Sequence, residues 1–319
     1  MSTVSSRWRA LLKRELVEHR KGAIYAPWFI AGLLYLLVLA SAVFHGVIHI
    51  NGTAINVLTM AQAASAGNPE VLVMAHTGWL FGLFAIFHAV AGVVMFAYAL
   101  ACLFDERKDR STLFWRSLPV RDAETVAAKA VMLLVLIPLS FLLALAALQL
   151  AVALTISVVC LVQGASVWQT VWAPMPLVKM QGWQLASQVY TSLWVLPAFG
   201  WCLFCSAYAK QRPFLLAVFV PGAILIAILS LRLNDTLGMV FGRDSVISHV
   251  LTALYQRIGS AFSPLTAGAT MKNFKQASLS LQTQIDGLLS WQMWVGILIG
   301  VAFIAAAAFL RRYREDAAL

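Results

Sequence analysis

Charged side chains are scarce in this chain, 36 of 319 residues, and eleven of them fall between Asp105 and Lys129. Asp105, Glu106, Arg107, Lys108, Asp109 and Arg110 form a mixed-sign run in which opposite charges three or four apart can pair on a helical turn. Leu113, Phe114, Trp115 and Leu118 then place large apolar surface around Arg116. Pro119 cannot continue a short helix there, because it lacks an N–H and its ring crowds the preceding turn. Asp122 stands where it can cap the next helix, with Glu124 in the positive first turn. A polar clamp beside an apolar patch is chemistry for docking rather than for making or breaking bonds. The alternative is an amphipathic helix that lies among lipid headgroups.

Other groups that could do chemistry are isolated. His88 sits at the centre of an apolar run, and with Gln149 it is a candidate for lining a pathway or for hydrogen bonding between helices. His45 and His49 are four apart, a spacing that suits two metal ligands, but no third ligand is fixed nearby. Cys202-Leu-Phe-Cys205 has the C-x-x-C spacing inside an apolar run, where small buried side chains are the expected reading. Neither a phosphate loop of the G-x-x-x-x-G-K-[ST] type nor an H-E-x-x-H zinc motif occurs, and no nucleophile and base stand together. No cofactor and no enzymatic activity are expected of the chain itself.

The elements that must position these residues follow from composition. The chain is 61% hydrophobic and 11% charged, where soluble domains average about 25% charged. A hydrocarbon core about 30 Å thick needs roughly 20 apolar residues per helix, and six runs qualify. The reading is an all-α polytopic membrane protein, one domain over 1–319, with spans at about 24–44, 77–104, 130–160, 183–208, 214–231 and 291–310. The third run extends to Val162, about 50 Å of helix, so it must tilt, kink at Pro138 or project. Net charge +10 raises the question of nucleic acid, but the basic residues flank spans and are explained by anionic lipid and the positive-inside rule. Of the 23 Lys and Arg, 17 fall in segments on one side, which puts both termini in the cytosol.

Before the first span, residues 5–22 place Trp8, Leu11, Leu12 and Leu16 on one face, an N-terminal interfacial helix with its basic side chains toward lipid phosphate. That first span reads as a retained anchor, since no small-residue cleavage site closes it. The loop at 105–129 is cytosolic, the segment at 232–290 external and helical, either flat on the surface or re-entrant. Gly78-Trp-Leu-Phe-Gly82 and Gly296-Ile-Leu-Ile-Gly300 match the small-xxx-small pattern of close helix contacts and are weak candidates for a dimer seam.

The order Glu106-Arg107, Leu118-Pro119-Val120, Glu124, Lys129 resembles the loop between the second and third membrane helices of ABC-2 type transporter permeases. The six-helix layout extends that likeness over the chain. The resemblance implies that the short helix in the loop is a coupling helix that docks on a separate ABC ATPase subunit, which binds ATP and Mg. Leu113, Phe114, Trp115, Arg116 and Leu118 would be that contact, with Glu106, Arg107 and Arg110 as its polar clamp. It further implies a bacterial inner-membrane exporter, working as a dimer of permease subunits, most simply a homodimer, in contact with membrane lipid. Nearly charge-free spans point to a hydrophobic or amphipathic cargo such as a peptide antibiotic, drug or lipid. The rival readings are an ion-coupled secondary transporter, which would normally need acids at depth, and a non-catalytic membrane scaffold.

Overall fold

The computed structural model describes residues 4–43, 48–50, 53–55, 69–109, 121–232 and 282–316. In chain order they form α1 (Val4–Glu18), a π-helical turn (Lys21–Tyr25), α2 (Ala26–Val43), the strands β1 (Ile48–Ile50) and β2 (Thr53–Ile55), α3 (Pro69–Ala101) and α4 (Phe104–Lys108). Beyond residues 110–120 come α5 (Asp122–Val131), a π-helical turn (Met132–Leu136), α6 (Ile137–Val162), a third π-helical turn (Trp168–Trp172), α7 (Leu177–Trp194) and α8 (Leu196–Tyr208). The last described elements are α9 (Pro213–Arg232), α10 (Gln282–Leu289) and α11 (Trp291–Asp316). The two strands make an antiparallel hairpin, with Ile48 opposite Ile55 and Ile50 opposite Thr53.

Four helical stretches are long and apolar enough to cross a membrane, Lys21–Ala40, Leu72–Lys108, Asp122–Val162 and Trp291–Tyr313. Trp168–Trp194 and Leu196–Tyr208 together make a fifth if the bent pair is one span. Where the fifth of six expected spans falls, at 214–231, α9 offers a shorter described apolar stretch, Pro213–Ile224. The exterior is apolar: Phe29, Leu36, Val93, Leu143, Phe219 and Leu298 are exposed on the outer faces of five helices. Such a surface suits acyl chains rather than water, and the chain is a helical membrane protein in character.

The departures from straight helices have local causes. The third span is continuous from Asp122 to Val162, and it absorbs Pro138 through the π-helical turn before it, where the Ile137 N–H reaches back five residues to Met132 O. α6 ends in a Schellman arrangement: Gly164 takes φ 71°, and the Ala165 and Gly164 N–H groups bond to Cys160 O (2.9 Å) and Leu161 O (3.1 Å). The fourth span, expected to be a single helix over 183–208, is bent by 52° at Val195 between α7 and α8. Pro197 explains the break, because it offers no N–H to the carbonyl four residues back.

α8 and α11 cross closely because glycine faces glycine. A Cβ on Gly200 would lie 2.7 Å from Gly300 O, and one on Gly300 would lie 2.6 Å from the Leu196 side chain. Gly300 is therefore spent inside the subunit rather than at a dimer seam, which corrects the expectation for that motif. Gly78 and Gly82 meet no neighbour within 4 Å. Of the 232–290 segment, Arg232 and residues 282–290 are described; α10 docks on α7, with Gln284 Nε2 donating to Ser187 Oγ at 3.0 Å. The remainder lies outside the described residues, as does His45; His49 belongs to β1.

Candidate functional site

The described residues on either side of 110–120 run into one buried ionic network. α4 carries Glu106 inward from the exit of α3, and its two oxygens are fully used: Oε1 accepts from Arg14 Nη2 (2.8 Å) and lies 3.0 Å from Lys129 Nζ, while Oε2 accepts from Arg311 Nη1 (2.7 Å). Glu15 of α1 is the second hub. Its Oε1 accepts from Lys129 Nζ (2.8 Å) and its Oε2 from the Tyr98 hydroxyl (3.0 Å). Arg311, at the end of α11, also donates through Nε to Asp122 Oδ1 at 3.2 Å, on the first turn of α5. Glu15, Glu106, Lys129 and Arg311 are exposed by 1%, 3%, 0% and 5%, so this is a cluster removed from solvent.

Buried charges are tolerated only when paired and hydrogen-bonded. Among the described residues, Glu15, Glu106, Asp122 and the more exposed Glu18 face Arg14, Lys129 and Arg311. Glu15, Glu18 and Glu106 lie close enough to suggest a metal site. The donor set does not fit one, because both oxygens of Glu15 and of Glu106 already serve cations or a hydroxyl.

Arg107, the next residue, points the other way. Its Nη2 donates to Ser206 O (2.6 Å) and Ala209 O (2.8 Å), the orphan carbonyls at the end of α8, where a cation also meets the negative end of the helix dipole. Ser206 completes the join: its Oγ accepts from Leu103 N (3.2 Å) and Phe104 N (3.0 Å) and donates to Leu100 O (2.8 Å). Those amides are diverted from the helical ladder, which accounts for the break between α3 and α4. Consecutive residues Glu106 and Arg107 thus tie the exit of α3 to α1, α5, α8 and α11.

His19 borders the network edge-on to Tyr98, with ring centroids 4.7 Å apart. Burial lowers its affinity for a proton; Glu15 and Glu18 work against that and Lys129 reinforces it.

The mixed-sign run was expected to pair locally, three or four residues apart. In the structure Glu106 finds partners 92 and 205 residues away, because α4 is a single turn that delivers its side chain into the bundle. Asp122 was expected as a helix cap; Arg121 holds the N-cap position without a side-chain bond, and Asp122 serves Arg311. Lys129, read as part of a cytosolic loop, is buried in α5. Arg110 and the apolar patch of Leu113, Phe114, Trp115, Arg116 and Leu118 lie outside the described residues.

No family model, curated protein or solved structure matches this chain. Its function must be argued from its own residues.

Sequence reasoning missed Glu15, Tyr98, Ser206 and Arg311 as members of the clamp. A signal existed for Glu15, which falls four residues after Leu11 on the apolar stripe of α1, the face that packs on α5. Away from the clamp, His88 Nδ1 donates to Gln188 Oε1 at 3.3 Å, and its ring lies against Phe84. Gln149 Nε2 donates to Leu80 O at 3.0 Å, and its Oε1 accepts from Gln181. Both residues join α7 or α6 to α3. All four cysteines are buried and free.

Proposed function

We propose that this chain is the membrane-spanning subunit of an ATP-driven exporter of the ABC-2 type, moving a hydrophobic or amphipathic substrate out across a bacterial inner membrane. It carries six spans with both ends in the cytosol, pairs with a second copy, and takes its energy from a separate ATPase subunit that holds ATP and Mg. The ATPase docks on the loop through Leu113, Phe114, Trp115, Arg116 and Leu118, with α1 at the cytosolic surface.

The observation that supports this best is the fastening of both loop ends. Glu106 before the loop and Lys129 after it are 3.0 Å apart, and Arg311 bridges Glu106 to Asp122. A push on a loop anchored by flexible ends would be dissipated there. A push on this loop moves α3, α5, α11 and α1 as one body, which is what transmitting work from a soluble motor into a bundle requires. An ion-coupled carrier has less support, because the buried acids are already neutralised by fixed cations in the clamp.

Purification of the chain from its native membrane in mild detergent provides the test. A soluble protein with a phosphate loop should co-purify in stoichiometric amount, and Phe114→Ala with Trp115→Ala should abolish that association without reducing membrane insertion. A chain that purifies alone across several detergents would overturn the proposal.

A further inference from the structure

The centre of the bundle holds a second polar feature, without charge. On α7, Gln181, Gln184 and Gln188 recur at helical spacing, so they share a face. Gln181 Nε2 donates to Gln149 Oε1 of α6 at 2.5 Å, and Gln188 is held by His88 of α3. Gln184, between them, is 0% exposed, and neither its Oε1 nor its Nε2 has a hydrogen-bond partner among the described residues.

A buried primary amide with both ends unsatisfied is costly, and more so in a bilayer, where no solvent is at hand. A leucine in that place would carry no such penalty. Its stripe neighbours Gln181 and Gln188 each have a hydrogen-bond partner, and Gln184 has none among the described residues. We propose that Gln184 is the anchor of a binding subsite for a neutral amide group, filled when the packing of α7 against α3 and α6 opens. An acceptor and a donor side by side on one planar group complement, at two points, the N–H and C=O that one residue of an extended peptide presents on the same edge, whereas a hydroxyl meets them at one. The Gln149 to Gln181 bond, two amides paired in the same stripe, has the chemistry that a ligand would reproduce at Gln184. The subsite stands on Gln184; that its ligand is then moved outward rests on the export reading above.

The test uses the full chain in lipid nanodiscs without any ATPase, so that its failure leaves the docking proposal untouched. Thermal unfolding is followed with a blocked, uncharged tripeptide, N-acetyl-trileucine amide, and with the analogue in which esters replace the backbone amides. The tripeptide should raise the midpoint in proportion to its occupancy, the ester analogue should raise it far less, and Gln184→Leu should abolish the difference. Gln184→Leu without ligand should unfold at or above the wild-type midpoint. The proposal is overturned if neither compound shifts the midpoint, if both shift it equally, or if Gln184→Leu leaves the shift unchanged. A marked loss of stability in unliganded Gln184→Leu would also overturn it, because the amide would then have a structural partner.

Discussion

The two polar regions of this bundle solve opposite problems. At the loop end, Glu15, Glu106, Lys129 and Arg311 from α1, α4, α5 and α11 are buried together, with half-buried Arg14 and Asp122 beside them and every oxygen of Glu15 and Glu106 engaged. Midway along α7, the polar groups are neutral, their bonds run between uncharged amides, hydroxyls and an imidazole, and the Gln184 amide is left unpaired. Ionic hydrogen bonds at low dielectric fix geometry, since moving one member strands another. Neutral amides hold less firmly and exchange partners at modest cost. The difference teaches that the clamp is built to move as a unit, and the α7 stripe to rearrange.

The largest effect expected from breaking this comparison is at Glu106. Glu106→Gln removes the buried acid shared by Arg14, Lys129 and Arg311 and should destabilise the protein by about 3–5 kcal/mol, read as a lowered midpoint of thermal unfolding in detergent. Adding Arg311→Gln removes the cation that Glu106→Gln strands, so the double variant should be more stable than the sum of the single losses. Strict additivity would mean that the charges act separately.

At the neutral stripe the expected loss is smaller. Gln149→Leu removes one bond to Leu80 O and one from Gln181, and should cost about 1–2 kcal/mol in the same assay. A loss as large as that of Glu106→Gln would erase the contrast between the regions.

The smallest effect is on pH. Because burial keeps His19 below its ordinary value, the folded protein binds that proton more weakly than the unfolded chain. Its contribution is therefore constant above about pH 6.5, and stability falls as the pH drops below that, where the unfolded chain protonates first. His19→Gln should flatten this part of the stability profile; an unchanged slope between pH 6.5 and the folded value would assign the fall to other groups.

Much of the fold was legible because apolar runs of spanning length leave few alternatives: the expected spans at 77–104, 130–160 and 291–310 fall within long apolar helices, and that at 24–44 overlaps Lys21–Ala40. The bend at Val195 was not foreseen, although Pro197 was in plain view, because proline in a membrane helix is compatible with both a mild kink and a full break. Among clamp residues, Glu106 and Arg107 could be found from the density of charge around them. Their partners could not, because Arg14, Glu15, Ser206 and Arg311 lie far away in sequence, and long-range pairing leaves no local pattern. Gln184 was invisible for a further reason: one glutamine in an apolar helix looks the same whether or not its amide is satisfied.

The most direct test of the clamp is the distance across the loop it closes. Spin labels at Asp109 and Arg121, both exposed and flanking 110–120, report that separation by electron paramagnetic resonance. The wild-type background should give a single narrow distance distribution, and Glu106→Gln a broad one. Equal widths in the two proteins would contradict the claim that the buried charges hold the loop ends as one body.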